Sequence, residues 1–265
     1  MGEGPVELEA QEPDDRSAAR GGGHSSPKPA FYAARSGPGR DWWTLLHPPY
    51  TAWHLSYVVI GACLAARVNV VNLIATLLAF FLAVGLSAHA LDELHGRPLR
   101  TTIPSSALVA VVVGGLLGAL ALGIVGVVRI GWVLIPFMLV GPLLLLSYNA
   151  ELFGGLVHND AGFAAAWGSF PLLTAYVVQT QSIDVAAIAG AGAAFFLSLA
   201  QRNLSTPARG LRRRSAHVDG TITMRDGTTV PIEARTILSP LERALRSLSG
   251  AMVLLALSLA LSRLT

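Results

Sequence analysis

What most constrains this chain is a series of apolar runs at 50–66, 68–90, 106–128, 130–148, 163–178, 185–200 and 251–261. A helix that crosses the hydrocarbon core needs about 20 mostly apolar residues. It must also satisfy its backbone hydrogen bonds within itself. One such run could be a buried core helix. Seven in series, in a chain of 265 residues that is 52% hydrophobic and 13% charged with a mean hydropathy of +0.55, exceed what a water-soluble domain can cover. The runs therefore predict an all-α fold, a polytopic transmembrane helical bundle of about seven spans over residues 42–265, in which the fifth and last runs need flanking residues to complete a crossing.

Charge gives the orientation. With seven spans, all of the nineteen basic residues except Arg67, Arg129 and Arg263 fall on one side. The positive-inside rule makes that side cytoplasmic. The N-terminus is then cytoplasmic, the C-terminus lies outside, and a multi-pass protein of the plasma membrane is expected. Residues 1–41 mix Gly, Pro, Ser and charged residues without an apolar period and read as a disordered tail. They lack the apolar core of a signal peptide. Trp42 and Trp43 follow, where indole rings favour the headgroup region. The net charge of +3 sits beside spans and points to lipid headgroups rather than nucleic acid. Cys63 is the one cysteine, which excludes an intrachain disulfide and a cysteine metal cluster.

Residues 202–249 form the one sizeable insert between spans. Around Asp226 and Gly227, the β-prone runs of 218–232 predict a small hairpin. Leu241, Leu245 and Leu248 predict a short helix on the cytoplasmic membrane surface. Small residues, Gly114, Gly118, Gly123, Gly126, Gly190 and Gly192, predict close helix approach.

Ionisable groups at membrane depth are costly and are the default functional candidates. They gather in two places. His89, Asp92 and Glu93, at i, i+3 and i+4, share one face of the second span's end. They can hold a divalent cation through oxygen, or simply form a polar helix end paired to Arg97 or Arg100. After the fourth span come Tyr148, Asn149, Glu151, His158 and Asp160, with no Lys or Arg among them. They read equally as a cation or proton-transfer site and as a solvated acidic loop. His54 reads as an interhelical hydrogen-bonding group. There is no phosphate loop, nucleophile elbow or zinc helix motif.

Several segments resemble the UbiA-type intramembrane prenyltransferase superfamily: the opening His47-Pro-Pro-Tyr-Thr-Ala-Trp53, the run ending in Asp92 with Gly96-Arg-Pro-Leu99 and Ile103-Pro-Ser-Ser106 after it, and Ala166-Trp-Gly-Ser-Phe-Pro171. The likeness covers roughly residues 50–200. It implies Mg2+ held on an allylic diphosphate by aspartate-rich motifs, and a prenyl cation that attacks a lipophilic acceptor once diphosphate leaves. By resemblance, Asp92 and Glu93 hold the metal and act with His89, while Arg97, Arg100, Tyr148, Asn149, Glu151, His158, Asp160, Arg202 and Arg209 surround the substrate, a prenyl diphosphate or other isoprenoid lipid. The chain departs from the pattern at Ala88, His89 and Gly96. It also has no carboxylate after the sixth span before Asp219, where Arg202, Arg209 and Arg212 offer direct phosphate binding instead. The other readings are a non-catalytic polyisoprenoid- or lipid-binding scaffold and, third, a transporter.

Overall fold

The computed structural model describes residues 28–34, 37–149 and 153–264. Most of the expected tail, together with Glu151, lies outside the described residues. A short helix, α1 (Pro38–Leu45), already begins inside the expected tail. Proline stands in its first turn, where the missing N–H costs nothing. Asp41 fixes its start by accepting hydrogen bonds from Gly37 N (3.3 Å), Thr102 N (2.7 Å) and Thr102 Oγ1 (2.6 Å).

Seven long helices follow. Six of them, α3 (Val70–Leu94), α4 (Ser105–Ile130), α5 (Trp132–Asn149), α6 (Asp160–Thr180), α7 (Val185–Arg214) and α8 (Ala234–Leu264), are long and apolar enough to cross a membrane. Their outer surfaces expose Val128, Trp132, Val185, Phe196 and Leu254, faces that only lipid tails would solvate well. The chain is a multi-pass helical membrane protein. The helix of the first run, α2 (Pro48–Leu64), has 17 residues. It packs on α3, α6, α7 and α8, and its Trp53, Tyr57, Val58 and Ala62 are fully buried.

Local chemistry sets the helix starts. Asn69, Asn159 and Asp184 cap α3, α6 and α7 by accepting from Asn72 N, Gly162 N and Ala187 N at 3.1, 2.8 and 3.0 Å, the usual way to satisfy a first-turn donor. Two helices carry wide, π-type turns, Phe81–Ala88 in α3 and Ala165–Ser169 in α6, and such turns tend to sit at functional positions. Close helix approaches occur at Gly61, whose added Cβ would lie 2.2 Å from Leu172 O, at Gly115, where it would lie 2.2 Å from Ser87 Oγ, and at Gly168, where it would lie 2.4 Å from Ser198 Oγ. Gly114 and Gly192, expected at such contacts, face open space instead.

The insert is smaller than the sequence suggests. Helix α7 runs on to Arg214 and α8 starts at Ala234, so only 215–233 is non-helical. The hairpin is present as β1 (Thr221–Thr223) and β2 (Thr229–Pro231), antiparallel with Ile222 opposite Val230. Gly227 takes φ 85° and Asp226 accepts from Thr228 N and Oγ1. The separate surface helix over 240–248 does not form. Leu245 is fully buried and Leu248 packs on the Trp53–Tyr57 cluster, so these leucines face the bundle as part of α8.

Candidate functional site

At one end of the bundle, the start of α2, the ends of α3, α5 and α7 and the start of α6 enclose a cavity of about 430 Å³. Its most regular wall is a stripe on α7. Gln201, Ser205, Arg209 and Arg213 recur every fourth residue, with Arg202, Thr206, Gly210 and Arg214 beside them, the spacing of one helix face. Gln201 is 3% exposed and its Oε1 has no hydrogen-bond partner. Arg202 donates through Nε to Asp160 Oδ1 at 2.9 Å and lies over the Phe163 ring at 5.1 Å.

Facing this stripe, α3 contributes His89 and Asp92, and α2 contributes Tyr50, His54 and the preceding His47. His89 donates Nδ1–H to Gly85 O (3.2 Å), and His54 does the same to Trp167 O (2.8 Å), the interhelical role expected of it. His47 stacks on His89, and its Nε2 is buried without a partner. Burial, then His89 and Arg213, hold His47 well below its ordinary pKa, so its ring is neutral at physiological pH. Asp92 is exposed to the cavity, and its carboxylate makes no hydrogen bond among the described residues. The remaining wall is Tyr148, Asn149 and His158 with Phe163 and Trp167. His158 donates to Tyr148 O at 2.7 Å and stacks on its ring at 4.6 Å. Asn149 donates to Leu145 O.

A strap formed by residues 28–34 backs the wall at His47 and Tyr50. Tyr32 packs on both rings, with centroids 5.3 and 5.5 Å away. Arg212 and Arg213 donate to the carbonyls of Lys28 and Pro29, and Arg246 sits 5.1 Å over Phe31.

Of the expected site residues, His89, Asp92, Tyr148, Asn149, His158, Arg202 and Arg209 meet around this cavity, with Asp160 held at its edge by Arg202. Glu93 does not join them. Neighbouring residues on a helix point roughly 100° apart, and the Glu93 carboxylate is fully buried on the other side, accepting from Leu99 N, Thr101 N and Thr101 Oγ1 at 2.8–2.9 Å. Arg97, at φ 52°, donates to Thr101 O, Ile103 O and Ser105 Oγ, while Arg100 is exposed outside the cavity. Arg212 pairs with Glu242, leaving its neighbour Arg213 to face inward. Sequence reasoning missed His47, Tyr50, Gln201, Ser205 and Arg213; the fourfold recurrence from Gln201 was the signal for most of them.

The resemblance implies a magnesium site built on Asp92 and Glu93, and the two carboxylates point apart. Glu93 is committed to the loop after α3 and Asp160 to Arg202, and no three His, Cys, Asp or Glu side chains among the described residues are placed to share an ion. A magnesium ion needs a near-octahedral set of oxygens.

A second cavity, of about 220 Å³, opens between α3, α4, α5 and α6. It is lined by apolar groups such as Phe80, Leu120, Phe137 and Met138, and it shares Val84 and Trp167 with the polar cavity. A charged chamber and an apolar crevice thus adjoin at the two π-type turns. No family model, no curated protein and no solved structure matches this chain.

Proposed function

We propose that this protein is a divergent UbiA-like membrane protein that takes a prenyl diphosphate or related isoprenoid lipid, with the charged head in the polar cavity and the tail in the apolar crevice. The observation that carries the reading is the junction of the two cavities at Val84 and Trp167. An amphipathic ligand matches a site with a cationic wall at one end and hydrocarbon at the other, because each half then exchanges like for like.

The same junction suits prenyl transfer. The carbon–oxygen bond of an allylic diphosphate breaks, diphosphate leaves with the electron pair, and the prenyl cation is captured by a lipophilic acceptor that loses a proton. Guanidinium groups on α7 stabilise the charge that develops on the leaving group. The ring faces of Tyr148, Phe163 and Trp167 favour a cation beside them. Asp92 and His89 are the groups available to take the acceptor's proton.

In this reading α2 is the first of seven crossings, and the polar cavity and the hairpin face the cytoplasm. The charge pattern supports it: Arg67 in the turn between α2 and α3, and Arg129 and Arg263 near the ends of α4 and α8, stand outside the polar cavity's lining, and Arg263 donates to Cys63 O at the end of α2.

The test is diphosphate release by the purified protein from a panel of prenyl diphosphates and lipophilic acceptors. Release that depends on acceptor and falls in Asp92→Asn supports transfer. Tight binding of the same lipids without release supports the second reading, a non-catalytic isoprenoid-binding protein, which the lone cavity carboxylate favours. Failure to bind any of them would end both.

A further inference from the structure

We infer that the cavity holds the phosphate groups of its lipid directly, through guanidinium and neutral side-chain donors, without a divalent cation. This rests on the reading that the lipid head lies in the polar cavity, and it concerns how the head's charge is met.

Three observations converge. First, Arg209 and Arg213 stand one turn apart on the cavity face of α7. Arg209 makes no hydrogen bond or ion pair among the described residues, and Arg213 makes only the 3.3 Å bond from Nε to Pro29 O, so its terminal amines have no partner. Guanidinium groups left unpaired in a partly enclosed chamber are expensive unless an anion joins them. Planar forks of this kind match phosphate oxygens.

Second, Gln201 and His47 both line this space, and each carries a buried polar atom with no partner. Turning the amide by half a rotation aims its NH2 inward, and the other tautomer of the imidazole presents Nε2–H. Both then donate to an anion, and neither adds negative charge.

Third, Asp92 is the one carboxylate of the described lining. It is opposed by Arg209 and Arg213, so the chamber is already cationic before any metal enters. Asp92 therefore repels the head it would attract if it held a bridging cation. Removing its charge changes affinity in opposite directions under the two mechanisms.

The experiment is titration calorimetry of the full chain in detergent with farnesyl diphosphate, inorganic pyrophosphate and farnesol, each with magnesium and with chelator. Thermal unfolding of every variant serves as the folding control. Farnesyl diphosphate is expected to bind equally in both conditions. Arg209→Ala and Arg213→Ala weaken it about tenfold each, Arg209→Lys recovers part of the loss, and Asp92→Asn tightens it. Binding that needs magnesium and is lost in Asp92→Asn overturns direct recognition and leaves the lipid reading standing. Pyrophosphate bound in chelator, with farnesyl diphosphate and farnesol both unbound, supports the anion site and overturns the lipid reading. No heat from any probe overturns both.

Discussion

The imidazoles of His47 and His89 stack with their centroids 4.2 Å apart and their planes 22° from parallel. Two cations cannot share that contact, and burial already disfavours charge on His47, with His89 and Arg213 adding to the effect. Its pKa in the folded chain lies below the ordinary value near 6.5, so in the window beneath that value the unfolded chain binds the proton and the folded chain does not. Stability contributed by this pair is complete above about pH 7 and falls as the pH drops through about 6. Thermal unfolding in detergent across this range should show the decline, and His47→Gln should flatten it. A wild-type midpoint that rises on acidification would contradict the stacking argument.

Glu93 ties the loop after α3 to the helix that carries Asp92. Glu93→Ala strands the Leu99 and Thr101 amides, and a buried donor without a partner costs about 1–3 kcal/mol. A loss of roughly 3 kcal/mol is expected, read as a lower unfolding midpoint and faster hydrogen exchange at Leu99 and Thr101. Because the Asp92 carboxylate makes no hydrogen bond among the described residues, Asp92→Asn should leave the midpoint nearly unchanged, which separates the two adjacent acids.

At Gly168 an added methyl would stand 2.6 Å from the Ala194 carbonyl as well as 2.4 Å from Ser198 Oγ. Backbone cannot yield cheaply, so Gly168→Ala should force α6 from α7 and cost about 2 kcal/mol. Gly192→Ala, on α7, meets nothing within 4 Å and should be neutral or stabilising by up to about 1 kcal/mol. Equal midpoints for the two variants would refute the packing described for Gly168.

Tyr32 acts through its ring. Tyr32→Ala removes a tilted contact with His47 and an edge-on one with Tyr50 and should lower stability by about 1–3 kcal/mol, while Tyr32→Phe should keep most of it. Labelling of a cysteine placed at Ser205 in a Cys63→Ser background should rise in the alanine variant and stay low in the phenylalanine one.

The helices were legible because the apolar runs approach or exceed the length of a crossing, with flanking residues completing the shorter ones, and little else in a chain can host so many in series. The polar end was read less well, for reasons visible in particular residues. Pro207 and the cluster of Ser, Thr and Arg after Gln201 look like a loop, whereas Ser205 and Ala208 are buried and hold that stretch helical against its neighbours. Choosing Arg213 over Arg212, or Asp92 over Glu93, is a matter of one residue's rotation, set by Glu242 in one case and by the amides of Leu99 and Thr101 in the other. Glu242 is 30 residues from Arg212, and the Leu99 and Thr101 amides, though only 6 and 8 residues past Glu93, reach it through a loop whose turn the sequence does not announce. His47 opens a segment that carries the resemblance but does not stand out as a site residue, because Pro48 and Pro49 place it just ahead of the first run.

The hydrogen bond from Arg213 to Pro29 spans 184 residues, and Phe31 waits for Arg246. Loops of that length close late, because the entropy of bringing their ends together must be met before the contact rewards it. As the polypeptide is synthesised, the helices of the bundle can associate in order, but the wall behind His47 and Tyr50 is finished only when the residues of α8 have emerged. The chain's earliest described segment is thus among the last to take its place.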